Sequence, residues 1–332
     1  MLAGRRRAAV RISLVTPAAR GSRHGNRATA VRWASLLRDL GHRVVVEETW
    51  SGRDTELLLA LHARRSHSSI TCFAAAHLDR PLVVALTGTD LYRDIRSDVA
   101  ARESLELATR LVVLQELGLD ELEPALRRKA RTIHQSAEPF RRLPPASRWF
   151  DVCVAGHLRP EKDPLRPALA AALLPERSRI RVTHMGDARD EALALEVRAR
   201  AAASPRYRWL GDVPRWRVRR LMARSRLLLH PSTLEGGANV VTEALASGLP
   251  LVAADIPGNV GLLGSGYAGL YPPGNEAALA QLLARVESEP ALYALLARQC
   301  AARRPLTLPE RERAALGELV EEALRAHRPQ AA

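Results

Sequence analysis

The sequence predicts an α/β protein made of two doubly wound domains, each a parallel sheet covered by helices. Three observations carry that expectation. Short apolar runs alternate with amphipathic stretches of helical period along the whole chain. A proline-rich segment, "AEPFRRLPPASRW", interrupts the alternation, which then starts afresh. At 332 residues the chain is long for one core and comfortable for two.

Each element can be justified in turn. "RISLVTP" reads as a buried strand, the polar loop "AARGSRHGN" follows, and "RATAVRWASLLRDLG" is an amphipathic helix closed by Gly41. "HRVVVEE" is the next strand, and "TELLLALHA", "PLVVALTGTD" and "ATRLVVLQ" supply three more. Pro139, Pro144 and Pro145 disfavour regular structure and mark a hinge near residues 139–149. Beyond it, "FDVCVAGHL", "RIRVTHMGD", "YRWLG", "RLLLHPS" and "PLVAAD" read as strands. "PLRPALAAALLP", "DEALALEVRARAAA", "PRWRVRRLMARS" and "NVVTEALASG" read as the helices between them, and the chain is helical from "EAALAQLLARVES" onward. The expected boundaries are 1–140 for the first domain, 150–310 for the second, and 311–332 for a last helix that packs back on the first. In doubly wound sheets ligands sit at the carboxyl ends of the strands, so two such domains facing across a cleft make that cleft the expected site.

Composition excludes several classes. No apolar run reaches membrane-spanning length, which predicts no membrane span. The start, "MLAGRRRAAVRISLV", puts basic residues before an apolar run, but Arg11 and Ser13 interrupt it and no small-residue cleavage site follows. It is expected to be a basic tail leading into the first strand. Three cysteines, Cys72, Cys153 and Cys300, stand far apart in no metal-ligand spacing and fit a reducing cytoplasm. The net charge of +14 raises a nucleic-acid partner. The basic residues are nearly all arginine, with Lys129 and Lys162 the only lysines, and are spread along the chain; aromatic residues for base stacking are few. The expectation is therefore no nucleic acid, and a cleft suited to anionic substrates. A non-catalytic nucleic-acid-binding protein stays as the alternative of a different class.

The stretch "HPSTLEGGANVVTEALASGLPLVA" carries the chemistry. Glu235 lies in a loop after a strand, and Gly236, Gly237, Ala238 and Asn239 lead into a helix bearing Glu243. The first amides of a helix have no intrahelical partner and carry the positive end of its dipole, so they suit an anion. Carboxylates accept hydrogen bonds from sugar hydroxyls. A carboxylate, a bare anion-binding backbone and a second carboxylate match a hydroxylated ring, a diphosphate and a second hydroxylated ring, which is a nucleotide sugar.

This stretch resembles the donor-site motif of the retaining glycosyltransferases with two Rossmann-like domains, the GT-B architecture. The resemblance implies that Glu235 contacts hydroxyls of the donor sugar and that Glu243 holds the ribose. It also implies backbone contacts from Gly236, Gly237, Ala238 and Asn239. "VAGHLRPEKDP" resembles the segment that neutralises the donor diphosphate: Lys162 matches the usual lysine and His157 stands where an arginine is usual, so that either Arg159 supplies the missing charge or His157 is used differently. In the acceptor domain the resemblance places His62 of "LALHARRS" near the reacting sugar, with Arg64 and Arg65 beside it. Arg23, Gly25 and Asn26 of the first loop, and Thr87, Gly88, Thr89 and Asp90 of "LTGTDLY", complete the acceptor candidates. His62, Lys162 and Glu235 are the catalytic candidates.

Together "LALHARRS", "LTGTDLYRDI", "IHQSAEP", "GHLRPEKDP", "EGGANVVTEA" and "IPGNVGLLG" resemble a narrower group, the selenosugar synthases of selenoneine biosynthesis. That resemblance implies transfer of the sugar of UDP-N-acetylglucosamine or UDP-glucose to selenophosphate. It also implies functional links to an enzyme that supplies selenophosphate and one that forms selenoneine. The alternative within the same class is a hydroxyl acceptor. Selenophosphate carries a soft, already nucleophilic selenium and needs charge anchoring more than a strong base. Arg64, Arg65, Arg23 and the amides near Asn26 are the expected anchors. No Asp-X-Asp motif is present, so no metal or other cofactor is expected; Lys162, Arg159 and helix amides take the leaving-group charge.

Overall fold

The computed structural model describes residues 9–145, 148–188 and 190–327. Among them twelve strands form two six-stranded sheets, parallel throughout. The first contains β1 (Arg11–Val15), β2 (Arg43–Glu47), β3 (Leu57–Leu61), β4 (Leu82–Ala85), β5 (Arg110–Val113) and β6 (Ala130–Thr132), in the order β2-β1-β3-β4-β5-β6. The second contains β7 (Phe150–Ala155), β8 (Ile180–Met185), β9 (Tyr207–Trp209), β10 (Leu227–His230), β11 (Leu251–Ala254) and β12 (Leu270–Tyr271), in the order β12-β11-β10-β7-β8-β9. Both sheets are doubly wound, as the alternating pattern predicts.

The sequence of β3, "LLLAL", shows why both faces must be covered. All five residues are buried. Leu57, Leu59 and Leu61 pack with Trp33 and Leu37 of the helix Gly25–Asp39. Leu58 and Ala60 point the other way, to Ile70 and Phe73 of the helix His67–Ala76. Successive side chains of a strand alternate faces, so a continuous apolar run needs a helix layer on each side. Each leucine so buried contributes about 1.5–3 kcal/mol.

The chain divides into two units, one running to Gln135 and resuming at Pro309, the other Ser136–Leu308. The helix Pro309–Ala326 belongs to the first unit, where Leu316, Leu319, Val320 and Ala323 join the layer that holds Trp33. Its Glu312 is buried and accepts from Trp33 Nε1 at 2.6 Å and Arg32 Nε at 2.9 Å. The proline-rich segment, expected to be a hinge, belongs to the second unit and is tied down there. Phe140 enters its core, Leu143 N–H donates to the Ala223 carbonyl, and Arg142 donates to the carbonyls of Met222 and Ser225. Residues 146 and 147 of that segment, like 1–8 of the expected basic tail and 328–332 of the expected last helix, lie outside the described residues.

Among the described residues no helix is long and apolar enough to cross a membrane. The strand order reverses between β1 and β3 in the first sheet and between β7 and β10 in the second. Such reversals open a crevice at the carboxyl ends of those strands.

Candidate functional site

In the second unit the loops after β7 and β10 meet at the reversal. His157, just beyond β7, accepts the Asp187 N–H on Nδ1 at 3.0 Å, which joins its loop to the one after β8. A 3-10 turn, Pro160–Lys162, follows, and Asp163 in the left-handed region (φ 43°, ψ 58°) turns the chain back. Thr233 N–H donates to the Glu161 carbonyl at 3.0 Å, fastening this turn to the loop after β10. Two sequence candidates 73 residues apart thereby come together: Lys162 Nζ donates to Glu235 Oε1. The Arg159 guanidinium turns instead to Glu161.

Glu235 is 8% exposed. Burial alone would raise its pKa, but the Lys162 ammonium and His230 outweigh it and hold the carboxyl far below the usual range. His230, the last residue of β10, has Nε2 3.3 Å from Glu235 Oε1 without hydrogen-bond alignment. The chain then passes Gly236 and Gly237 to Ala238, the N-cap of the helix Asn239–Ala246, which makes no side-chain bond to the first amides. Glu243 stands in the second turn, with Oε1 2.9 Å from Nη2 of Arg215.

Gly258, in the stretch "IPGNVGLLG", supports this loop. Gly258 is the second residue of the helix Pro257–Leu263, and a Cβ on it would lie 1.9 Å from the Glu235 carbonyl oxygen. Gly258→Ala must therefore displace the Glu235 loop or the helix. The expected result is a loss of roughly 1–3 kcal/mol of stability. Denaturant unfolding checks it; a wild-type midpoint would show that the contact relaxes without consequence.

In the first unit the candidates gather at the carboxyl ends of β3 and β4. His62 is 2% exposed and has φ 74°, uncommon for a side-chain-bearing residue and costing about 1–3 kcal/mol. Its Nδ1 accepts the Arg65 N–H at 3.3 Å, so the neutral ring carries its proton on Nε2, which donates to Thr89 Oγ1 at 3.0 Å. Burial lowers its pKa despite Asp90 and keeps the ring neutral. Asp90, fully buried, accepts N–H groups from Ala63, Thr87 and Gly88, so its oxygens staple the two strand ends together. Arg64 Nε donates to Asp94 Oδ2 at 2.8 Å. Arg65 is exposed. Gly25 and Asn26 are the first two residues of the helix Gly25–Asp39 rather than the loop before it; His24 is the N-cap, with no side-chain cap bond, and Arg23 is exposed just ahead.

The structure thus groups Lys162, Glu235 and the glycine turn in one unit, and His62, Arg64, Thr87, Gly88, Thr89 and Asp90 in the other. Sequence reading passed over Asp94, Arg93, Arg215 and His230. His230 directly precedes Pro231 at a strand end, a signal that was present. Asp94 and Arg215 meet partners about thirty residues away, which no local pattern reveals. Among the described residues no three His, Cys, Asp or Glu side chains form a metal-ligand set.

Two doubly wound parallel units, the second with paired glutamates at its strand-order reversal, define a glycosyltransferase of GT-B architecture. The family model described as glycosyl transferases group 1 matches residues 137–303, half of the chain, and the chain belongs to that family. Among solved structures it is similar to Alr3699/HepE of Anabaena in complex with UDP and glucose. That likeness has 18% identity and a TM-score of 0.75, and covers 94% of this chain and 99% of that one. It is also similar to sucrose-phosphate synthase of Thermosynechococcus elongatus, with 16% identity, a TM-score of 0.76, and coverage of 95% and 99%. The pneumococcal O-GlcNAc transferase GtfA in complex with UDP and GlcNAc has 18% identity and a TM-score of 0.64, and covers 81% of this chain and 57% of that one. At these identities the likeness is one of fold. Among curated proteins no relative matches the chain in sequence.

Proposed function

We propose that this glycosyltransferase moves the sugar of UDP-N-acetylglucosamine or UDP-glucose onto the selenium of selenophosphate. A selenium lone pair forms the bond to the anomeric carbon. The bond from that carbon to the diphosphate oxygen breaks, and UDP leaves with its electron pair. The observation that carries the donor half is the meeting of Lys162 and Glu235 beside an uncapped helix start at the strand-order reversal. On donor binding, the diphosphate draws the Lys162 ammonium and the sugar hydroxyls take up the Glu235 carboxylate. Gly236, Gly237, Ala238 and Asn239 offer backbone to the phosphates, and Glu243 takes the ribose. His157 and Arg159 shape the same loop through Asp187 and Glu161.

The acceptor half is supported by the resemblance of "LALHARRS", "LTGTDLYRDI" and "IPGNVGLLG" to the selenosugar synthases, and by the arginines beside His62. A neutral, buried His62 suits a nucleophile that brings its own lone pair and requires no proton removal. Cationic side chains and helix amides meet the leaving-group charge, so the reaction proceeds without a metal or other cofactor.

Mass spectrometry of products tests this reading. Each UDP-sugar is incubated with selenophosphate, thiophosphate, phosphate or a hydroxylated sugar, with and without EDTA. A product with the selenium isotope pattern, formed equally with EDTA, is expected. Products only on hydroxyl groups would assign the ordinary acceptor instead. Loss of product on chelation, restored by magnesium or manganese, would overturn the metal-free route.

A further inference from the structure

The acceptor arginine singled out in the sequence has a partner that the sequence did not reveal. Asp94 is 5% exposed, and two arginines share it. Arg64 Nε donates to Oδ2 at 2.8 Å and Arg93 Nε donates to Oδ1 at 3.1 Å. Each guanidinium is thus anchored through Nε, and its two terminal nitrogens are left without a protein partner among the described residues. The two side chains are 39% and 58% exposed, so those nitrogens reach solvent. Asp94 Oδ2 lies 4.0 Å from His62 Nε2, which puts the pair beside the histidine at the ends of β3 and β4.

We propose that Arg64 and Arg93, held by Asp94, form a two-guanidinium seat for a phosphorus oxodianion, the non-reacting end of the acceptor. Naming that acceptor as selenophosphate rests on the function proposed above. Two forks on one carboxylate leave an excess positive charge, which Arg65 increases. Each fork can give parallel hydrogen bonds to an oxygen pair of a phosphate. Asp94 is a positioning residue: it fixes both arginines while they are empty, so less side-chain freedom is lost when the anion binds. Burial raises the Asp94 pKa, but the two arginines outweigh it and keep the carboxyl ionised.

The probes are inorganic phosphate and thiophosphate, titrated calorimetrically into the full chain and used as inhibitors of turnover. Both are expected to bind, to compete with selenophosphate, and not to compete with the UDP-sugar. R93A and R64A should each weaken phosphate binding about tenfold or more, with the chain still folded and its unfolding midpoint lowered only modestly because the other arginine still pairs with Asp94, and R93K should recover only part. D94N should weaken it although both arginines remain, and should raise the selenophosphate KM more than it lowers kcat. Arg96, 65% exposed and paired with Glu121 on the surface, is the control: R96A should bind phosphate as wild type does.

Phosphate affinity indifferent to R93A and R64A, or competition with the UDP-sugar alone, would overturn the seat. A D94N variant with wild-type affinity would remove Asp94 from it. The two proposals fail separately. Arginine-dependent phosphate binding without any carbon–selenium product leaves the seat and rejects the reaction. Product formation with arginine-independent phosphate binding does the reverse.

Discussion

Replacing Lys162 by alanine is expected to lower kcat by roughly 10²–10³-fold, the effect of removing one preorganised charge that meets a developing anion. Charge on the departing diphosphate grows as the glycosyl bond breaks, so the ammonium acts more strongly in the transition state than in the ground state. UDP affinity should fall less than turnover. The structure adds a second consequence, because the free enzyme holds Lys162 on Glu235. Losing the cation strands a buried carboxylate. Breaking a fully buried pair costs about 3–5 kcal/mol, and the 28% exposure of the lysine side chain brings this to the lower end or below. Stability and catalysis can be separated by the double variant Lys162→Ala/Glu235→Gln, which should regain stability without regaining turnover. Equal losses in UDP affinity and kcat would show that the lysine only holds the donor.

Glu243→Ala is expected to weaken UDP by about 2–3 kcal/mol, or roughly 30- to 150-fold, as for hydrogen bonds to a charged acceptor. The partner it has in the free enzyme does not confound the reading. Arg215 is 70% exposed, and surface ion pairs contribute little, so Arg215→Ala should leave stability near wild type. The sharper comparison uses 2′-deoxy-UDP. Wild type should prefer UDP, and Glu243→Ala should bind both alike. A variant that keeps wild-type UDP affinity on an intact fold would dissociate Glu243 from the ribose.

Glu235 and Glu243 stand out in the sequence because their signal is local: a small-residue turn between two glutamates after a strand. The long buried strands were legible for a similar reason, since "LLLAL" has no alternative to burial on both faces. What escaped notice was short or mixed. β6 has three residues, one of them the exposed Arg131, and β12 has two. The helix Pro257–Leu263 contains two glycines, which read as loop. "HSSITCFAAA" has few strong helix formers in its first half and is helical because Ile70 and Phe73 cover β3. In the sites, Asp94 and Gly258 escaped because their importance lies in what strand order brings against them. Arg64 meets Asp94 across the β3–β4 pair, and Gly258 meets Glu235 through the neighbouring β10 and β11.

The helix Pro309–Ala326 places a segment made after the second unit inside the unit made before it. As the polypeptide leaves the ribosome, the strands around β3 are available early, but Trp33 has no carboxylate for its indole N–H, and the layer above it no lid, until Glu312, Leu316, Leu319 and Val320 emerge. The Ser136–Leu308 unit has its whole core in one continuous segment and can close first. The amino-terminal half, which carries His62 and the arginine pair, must therefore wait in an unfinished state throughout synthesis of the other. A translational stop shortly before Pro309 would release a chain with a completed Ser136–Leu308 unit and a first unit exposing apolar surface, the kind of species that aggregates or is degraded.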